Sequence, residues 1–392
     1  MELRWLNRLL ILILVFIATF ANGASNVRVV AVGDVHGAYN AFVTILREAK
    51  VINETNHWSG GATILVQTGD TLDRGPDSKK VMDLLMTLEK EAPKQKGKIV
   101  PLLGNHEVMN LIGDLRYVSQ EEYASYSNSG SVKRQESAYK TYQNFLKQRA
   151  KKLGTDEPDF TKEKDDEWKK NHPPGFIEHR EAFAATGKYG KWLRKLNAIQ
   201  IIDGSIFMHG GISPSVSEVS IDQLNRRIQQ EIRALDDCSQ VLQQRKAALP
   251  FFTMEENLDA ARNEVEVLKK NSSDSEAATT KQLEECSNIG SWLVINQDSP
   301  LWFRGFSQWD DTEGANQTKE LLEKYKATRF VTGHSVQSAG QINARFDSKI
   351  ILIDTGMLDG EFFPGGRASA LEIVGDQITA IYTGKREPIN AD

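Results

Sequence analysis

Cysteine is nearly missing from this chain. There are 2 in 392 residues, Cys238 and Cys286, and neither stands beside a motif. That removes a cysteine nucleophile from consideration. A basic excess is missing too: the formal net charge is −5, and no run of Lys and Arg alternates with aromatics. Nothing here provides the electrostatic footprint of a nucleic-acid-binding surface. Apolar runs of membrane length are absent; Leu9–Ala21 spans thirteen residues, short of the roughly 20 that a spanning helix needs. No internal repeat and no hinge divides the chain, which argues against a repeat array or two independent domains.

The short apolar run has its own meaning. Arg4 and Arg8 flank its start, and the small residues Ala21, Gly23 and Ala24 follow it. This is the pattern of a signal peptide, expected at 1–24, ahead of a catalytic domain at 25–392. Export to periplasm, secretory lumen or medium follows. Membrane attachment would come only through an uncleaved anchor. The two cysteines suit such an oxidising compartment. A disulfide between them is the expectation; they are 48 positions apart, and closing that loop adds roughly 3–4 kcal/mol in the chain-entropy model.

What is present in quantity is one arrangement, repeated five times. A short apolar run stops at glycine beside a potential metal ligand. Val29 to Gly33 leads into Asp34 and His36. Ile64 to Thr68 leads into Gly69, Asp70, Asp73 and Arg74. Ile99 to Leu103 leads into Gly104, Asn105, His106 and Glu107. Ile206 to Met208 leads into His209, and Phe330 to Thr332 into Gly333 and His334. A buried strand ending in glycine turns sharply and presents the next side chain at the carboxyl edge of a sheet. That edge is where open α/β sheets hold ligands. The step from Asp34 to Asp70 is 36 positions and from Asp70 to Asn105 is 35, each room for a βαβ unit of about 30 residues or more. Apolar residues at helical spacing (Phe42, Ile45, Leu46; Val81, Leu84, Leu85, Leu88) fill the gaps. So residues 27–112 read as βαβαβ.

Two stretches depart from this rhythm. Residues from about 113 to 186 are crowded with tyrosines and charges, with a break at Pro173-Pro174-Gly175. Lys147 to Lys170 reads as a solvated helix face. A second stretch, about 217–290, carries the amphipathic stripe Leu224, Ile228, Ile232, Leu235. Within it, Asn271 to Thr280 is rich in Ser, Ala and Thr and reads as a loop. Both stretches are expected to be mainly helical insertions capping one domain. Trp168 and Trp192 read as packing residues. His57, His172 and His179 read as surface residues.

Asp, Asn and His ligands together suit Mn, Fe or Zn. Asp70 stands between two ligand sets, and a carboxylate can bridge two metals roughly 3.5–4 Å apart. Such a pair activates a bridging water for in-line attack on phosphorus. Arg74 would clamp phosphoryl oxygens. His106 would protonate the leaving oxygen, with Asp73 orienting its ring. Glu107 is placed to hold that turn together.

The ordered motifs Gly-Asp-Val-His-Gly, Gly-Asp-Thr-Leu-Asp-Arg-Gly, Gly-Asn-His-Glu and His-Gly-Gly resemble those of the calcineurin-like metallophosphoesterases, in the phosphoprotein phosphatase branch. Leu301-Trp-Phe-Arg304, Gly333-His334-Ser, Asp354-Thr-Gly-Met357 and Gly365-to-Leu371 are similar to the pattern of Shewanella-like protein phosphatases. The resemblance implies a β-sandwich flanked by helices, an α/β (α+β) fold. It implies two divalent or trivalent metal ions. Asp34 and His36 would hold one, Asn105, His209 and His334 the other, with Asp70 bridging. His106 would be the general acid with Asp73 as partner, and Arg74 and Arg304 would bind phosphate. The Ser-Ala-Pro-Asn-Tyr loop of compact eukaryotic Ser/Thr phosphatases is absent, so their toxin and regulatory-subunit binding is not implied.

The expected function is removal of phosphate from phosphoprotein side chains, with phosphotyrosine or dual specificity favoured. Two rivals remain. One is a dinucleoside polyphosphate or small-molecule phosphatase. The other is a metal-stabilised adaptor with a vestigial site.

Overall fold

The computed structural model describes residues 27–271, 274–360 and 362–389. The expected signal peptide lies outside the described residues. Strands β1 (Arg28–Val32), β2 (Ile64–Gln67) and β3 (Lys98–Pro101) run parallel, with Val29 opposite Ile64 and Leu65 opposite Ile99. Helices α1 (Tyr39–Glu48) and α2 (Ser78–Glu91) connect them, and α3 (Asn105–Ile112) follows β3. A second sheet holds β4 (Ile199–Ile202), β5 (Ser205–Met208), β6 (Arg329–Thr332), β7 (Asn343–Arg345) and β8 (Ile350–Leu352), in the order β4-β5-β6-β8-β7. The chain then returns to the first sheet through β9 (Ser369–Val374), β10 (Gln377–Tyr382) and β11 (Lys385–Pro388), giving β11-β10-β9-β1-β2-β3.

The two sheets stack. Val29, Ala31, Val66 and Val100 of one interleave with Phe207, Val331 and Ile351 of the other. The alternate residues Val30, Val32 and Leu65 pack against Phe42, Ile45, Leu46, Leu85 and Leu88 of the covering helices. Both faces are therefore buried, which is why these strands read as unbroken apolar runs. This is the sandwich flanked by helices that the resemblance implied.

Residues 113–186 contain α4 (Gln120–Tyr126), α5 (Ser131–Leu153), α6 (Lys162–Asn171) and α7 (Phe176–Phe183). After α8 (Lys188–Leu193), residues 217–290 contain α9 (Ile221–Gln244), α10 (Met254–Asn271) and α11 (Ala277–Ser287). The two stretches share one satellite core, in which Tyr139, Trp168 and Phe176 meet Leu242, Phe252, Val265 and Leu283. Helix α9 belongs to both cores. Its Leu224, Ile228 and Ile232 join the main core, and its Cys238 and Leu242 join the satellite. No helix among the described residues is long and apolar enough to cross a membrane.

Three expectations are corrected. Ala277–Thr280 is the first turn of α11 rather than loop; alanine is a strong helix former, and Leu283 and Cys286 anchor the helix by burial. His179 is fully buried, ringed by Tyr123, Tyr126 and Phe183. Cys238 and Cys286 are free buried thiols rather than a disulfide. The Cys286 thiol donates to the Ala234 carbonyl at 3.6 Å. A hydrogen bond with Cys286, then burial, pushes the Cys238 thiol up. Both serve here as small core residues.

The stripe on α9 predicts an asymmetric response. Ile228→Ala removes a side chain 1% exposed and is expected to cost about 2–5 kcal/mol in denaturant unfolding. Arg226→Ala, on the exposed side, is expected to stay within about 0.5 kcal/mol. Equal losses would mean that α9 does not join the cores as described.

Candidate active site

The carboxyl ends of β1, β2, β3, β5 and β6 point to one place, and the side chains that follow them meet there. Asp70 is the hub. Its Oδ2 lies 3.1 Å from His209 Nε2 and 3.7 Å from both His36 Nε2 and His106 Nε2. Its Oδ1 accepts the His106 backbone N–H at 3.1 Å. Asp34 accepts the His334 N–H at 3.0 Å and lies 3.9 Å from both His36 Nε2 and His209 Nδ1.

The imidazoles are oriented from behind. Backbone carbonyls of Leu72 and Thr68 face His36 Nδ1 and His209 Nδ1 at 2.8 and 3.0 Å, and the Trp302 carbonyl faces His334 Nε2 at 2.9 Å. A nitrogen facing a carbonyl carries the proton, so each ring turns its lone pair inward. His209 Nε2 then lies 2.9 Å from Asn105 Oδ1 and 3.0 Å from His334 Nδ1. Electron-rich atoms this close repel unless a cation sits among them. Two groups that could hold a metal ion share Asp70: His36 with His106, and His209 with His334. The donor set fits hard-to-borderline metal ions.

Charge tells the same story. Burial, then Asp354 and Asp70, raise the Asp34 carboxyl well above the usual carboxylate range. Burial works against ionisation of Asp70 too, but His209, His106 and His36 outweigh it and hold Asp70 well below that range. Burial, then neighbouring His106 for one and His209 for the other, lower His36 and His334. His106 differs. Burial opposes its protonation, yet Asp70 and Asp73 prevail and raise it. Its Nδ1 sits 2.6 Å from Asp73 Oδ2, and Asn110 Nδ2 donates to Asp73 Oδ1 at 2.9 Å. A protonated imidazole held by a carboxylate is the geometry of a general acid.

Arg74 Nη1 lies 2.7 Å from His36 Nε2, and its guanidinium sits between the rings of Tyr117 and Phe363. Arg304 stands at the rim, where Nη1 donates to the His334 carbonyl at 2.7 Å. Glu107 does tie the turns together. It accepts from Gly104 N, Asp70 N, Thr71 N and Thr71 Oγ at 2.7–2.8 Å.

One site residue, Asp354, was quoted within a family motif but given no role. Asp354 is buried beside Asp34, with Oδ2 unpartnered and Oδ1 accepting the Gly356 N–H at 3.0 Å. The signal was present, because Asp354 follows the apolar run Ile350–Ile353. Its glycine comes two positions after the acid instead of before it, so it falls outside the five-fold strand-glycine-ligand arrangement that supplied the candidate ligands.

A family model described as calcineurin-like phosphoesterase matches residues 27–338. Shewanella-like protein phosphatase 1 of Plasmodium berghei is 24% identical over 335 residues, covering 85% of this chain and 67% of that protein. Shewanella-like protein phosphatase 2 of Arabidopsis thaliana is 29% identical over 214 residues, 51% of this chain and 50% of that protein. The crystal structure of a cold-active protein-tyrosine phosphatase from a psychrophilic Shewanella species matches with a TM-score of 0.58 at 23% identity, covering 93% of this chain and 80% of that one.

The Asp34–Asp354 pair makes a pH-dependent prediction. A carboxyl raised by folding contributes stability below its unfolded value near 3.8 and loses it as pH rises through the folded value. Chelator-treated protein therefore carries a repulsion at pH 7 that Asp354→Asn relieves. The variant should melt higher than wild type without metal at pH 7, with the gap closing toward pH 4. Its metal affinity should fall about 10–100-fold. Identical melting at pH 7, or undiminished metal binding in calorimetry, would count against the pairing.

Proposed function

The chain belongs to the calcineurin-like phosphoesterase family, and we propose that it is a two-metal phosphomonoesterase acting on phosphoprotein side chains. The observation that carries this reading is the shared Asp70, 3.7 Å from His36 Nε2 on one side and 3.1 Å from His209 Nε2 on the other, with the His106–Asp73 dyad against it. Asp34 and His36 would hold one ion and Asn105, His209 and His334 the other, with Asp70 common to both. Mn, Fe and Zn suit these donors. The ions, when bound, supply the Lewis acidity that activates water and offsets phosphoryl charge.

The chain's own groups do the rest. His106 gives its proton to the leaving oxygen from Nε2, while Asp73 holds Nδ1 and stabilises the cation. Arg74, freed from His36 Nε2 when that lone pair is engaged, turns its fork to the phosphoryl oxygens. Arg304 approaches from the His334 side. Arg74 itself lies 5.5 Å from the Tyr117 ring centroid and 5.1 Å from that of Phe363. These rings offer a phenyl group two faces to pack against, which favours phosphotyrosine or dual specificity. The fold neighbour named as a tyrosine phosphatase agrees with this choice. Residues 113–186 and 217–290 are taken as one cap inserted into a single catalytic domain. Export rests on the charged and apolar pattern of residues 1–24.

The test uses the mature chain with Mn²⁺ on matched phosphotyrosine and phosphoserine peptides, with Asp70→Asn as control. Metal-dependent phosphate release, abolished in Asp70→Asn, is expected, faster on phosphotyrosine. His106→Asn should lower kcat about 10²–10⁴-fold. Preference for dinucleoside polyphosphates over both peptides would shift the reading to a nucleotide hydrolase. Biological activity that survives His106→Asn would favour an adaptor.

A further inference from the structure

Two consecutive non-glycine residues, Asp73 and Arg74, have left-handed backbone, with φ of +67° and +66°. Such a turn persists only where its surroundings hold it. What holds it comes from the first insertion. The Arg74 N–H donates to the Tyr117 carbonyl at 3.0 Å. The Glu122 carboxyl lies close enough to the Asp73 backbone and carboxylate to feel both, without a closed hydrogen bond to either. Gly75 N–H closes the turn on the Asp73 carbonyl at 2.7 Å and touches the His36 carbonyl at 3.1 Å.

Glu122 has no ordinary structural reason to be acidic. It is 0% exposed, and no Lys or Arg pairs with it among the described residues. Both carboxyl oxygens, the Ser78 hydroxyl beside them and the Tyr126 hydroxyl one turn along α4 are buried without a closed hydrogen bond. An apolar residue would pack at lower cost. The charge that acts on it most strongly is that of Asp73. Burial, then that charge, push the Glu122 carboxyl well above the usual range. A carboxyl pushed this way is drawn toward its neutral form, which can donate as well as accept. Its own place is set by Ser119, whose Oγ accepts the Glu122 N–H at 3.0 Å and caps α4.

The Asp73 carboxylate is fully committed, Oδ2 to His106 and Oδ1 to Asn110. Its aim therefore depends on where the Asp73 backbone sits. We propose that Glu122 is a positioning residue for the His106–Asp73 dyad, and that the first insertion clamps the Asp73–Arg74 turn through Glu122 and Tyr117. The insertion is then part of the catalytic apparatus rather than a passive cover. This rests on the phosphatase reading for its kinetic test, and a spectroscopic test stands apart from turnover.

The kinetic experiment compares the Mn²⁺-loaded chain on p-nitrophenyl phosphate, whose leaving group needs little protonation, and phenyl phosphate, whose leaving group needs it. Glu122→Leu is expected to lower kcat on phenyl phosphate about tenfold or more, with KM and the p-nitrophenyl rate little changed. Glu122→Gln keeps a donor and an acceptor and should stay within about threefold of wild type. In a His106→Asn background, Glu122→Leu should cost nothing further. An equal loss on both substrates, full additivity with His106→Asn, or an undiminished Glu122→Leu rate overturns the proposal. If wild type turns over neither substrate, the phosphatase reading fails by itself. The clamp is then read from proton spectra of the zinc-loaded protein. The downfield imidazole N–H shared by His106 and Asp73 should move or vanish in Glu122→Leu and return in Glu122→Gln. An unmoved resonance in folded Glu122→Leu overturns the proposal.

Discussion

Four hydrogen bonds converge on the Glu107 carboxylate, from Gly104 N, Asp70 N, Thr71 N and Thr71 Oγ. They join the turn after β2 to the turn after β3. Those turns carry Asp70 on one side and Asn105 with His106 on the other. Bonds to an ionised acceptor contribute about 1.5–3 kcal/mol each, enough to keep Asp70 at a φ of +57°. The turns also touch. Gly69 has φ +93°, and a Cβ there would collide with the backbone of Gly104. Glycine is required because the carboxylate draws the two backbones into contact. Loosening Glu107 would let the two strand ends part, and the distances from Asp70 to the imidazoles would follow.

The same knot concentrates negative charge. Asp34, Asp70, Asp354 and Glu107 are all buried within one neighbourhood. Burial and mutual repulsion raise three of them, while the imidazoles keep Asp70 ionised. A fold does not collect carboxylates and inward lone pairs for stability, since each costs desolvation. Such a collection suits cations, for which it would leave little reorganisation at the moment of binding. His36, Asp70, Asp73, Arg74 and His334 all have positive φ, and strain of this kind gathers where geometry serves chemistry.

The part of this that could be read in the sequence was the part with local chemistry. Glycine at a strand end and a ligand beside it are consequences of one turn, so Asp34, Asp70, Asn105, His209 and His334 could be placed without knowing the sheet order. The βαβαβ start was legible because both strand faces are buried. What could not be read depends on partners distant in sequence. Nothing local marks Lys385–Pro388 as β11; it is a strand because it pairs with β10. His179 looked like a surface residue among charges, and only the ring of Tyr123, Tyr126 and Phe183 makes it core. Glu122 reads as one acid of a charged stretch until α4 turns it inward. The satellite core was hidden for the same reason, because each insertion supplies half of it.

Helix α3 shows how these levels meet. All eight of its residues are buried, which is unusual for so short a helix bearing Asn, His and Glu. Its first turn is fixed by the strand ends through Glu107 and the Asp70 carboxylate. Its last turn is gripped by the insertions. Arg180 of α7 donates to the Asn110 carbonyl at 3.2 Å and to the Phe252 carbonyl at 3.3 Å, and the Gly113 carbonyl accepts the Met254 N–H at 2.9 Å. Arg180 also places a cation at the negative end of the helix dipole. A helix held at both ends cannot shift along its axis without breaking one set of bonds, so the position of His106 is set jointly by the sandwich and by the cap. The sandwich alone would fix the ligands. On the proposed reading, it takes the helices of residues 113–186 and 217–290 to fix the acid.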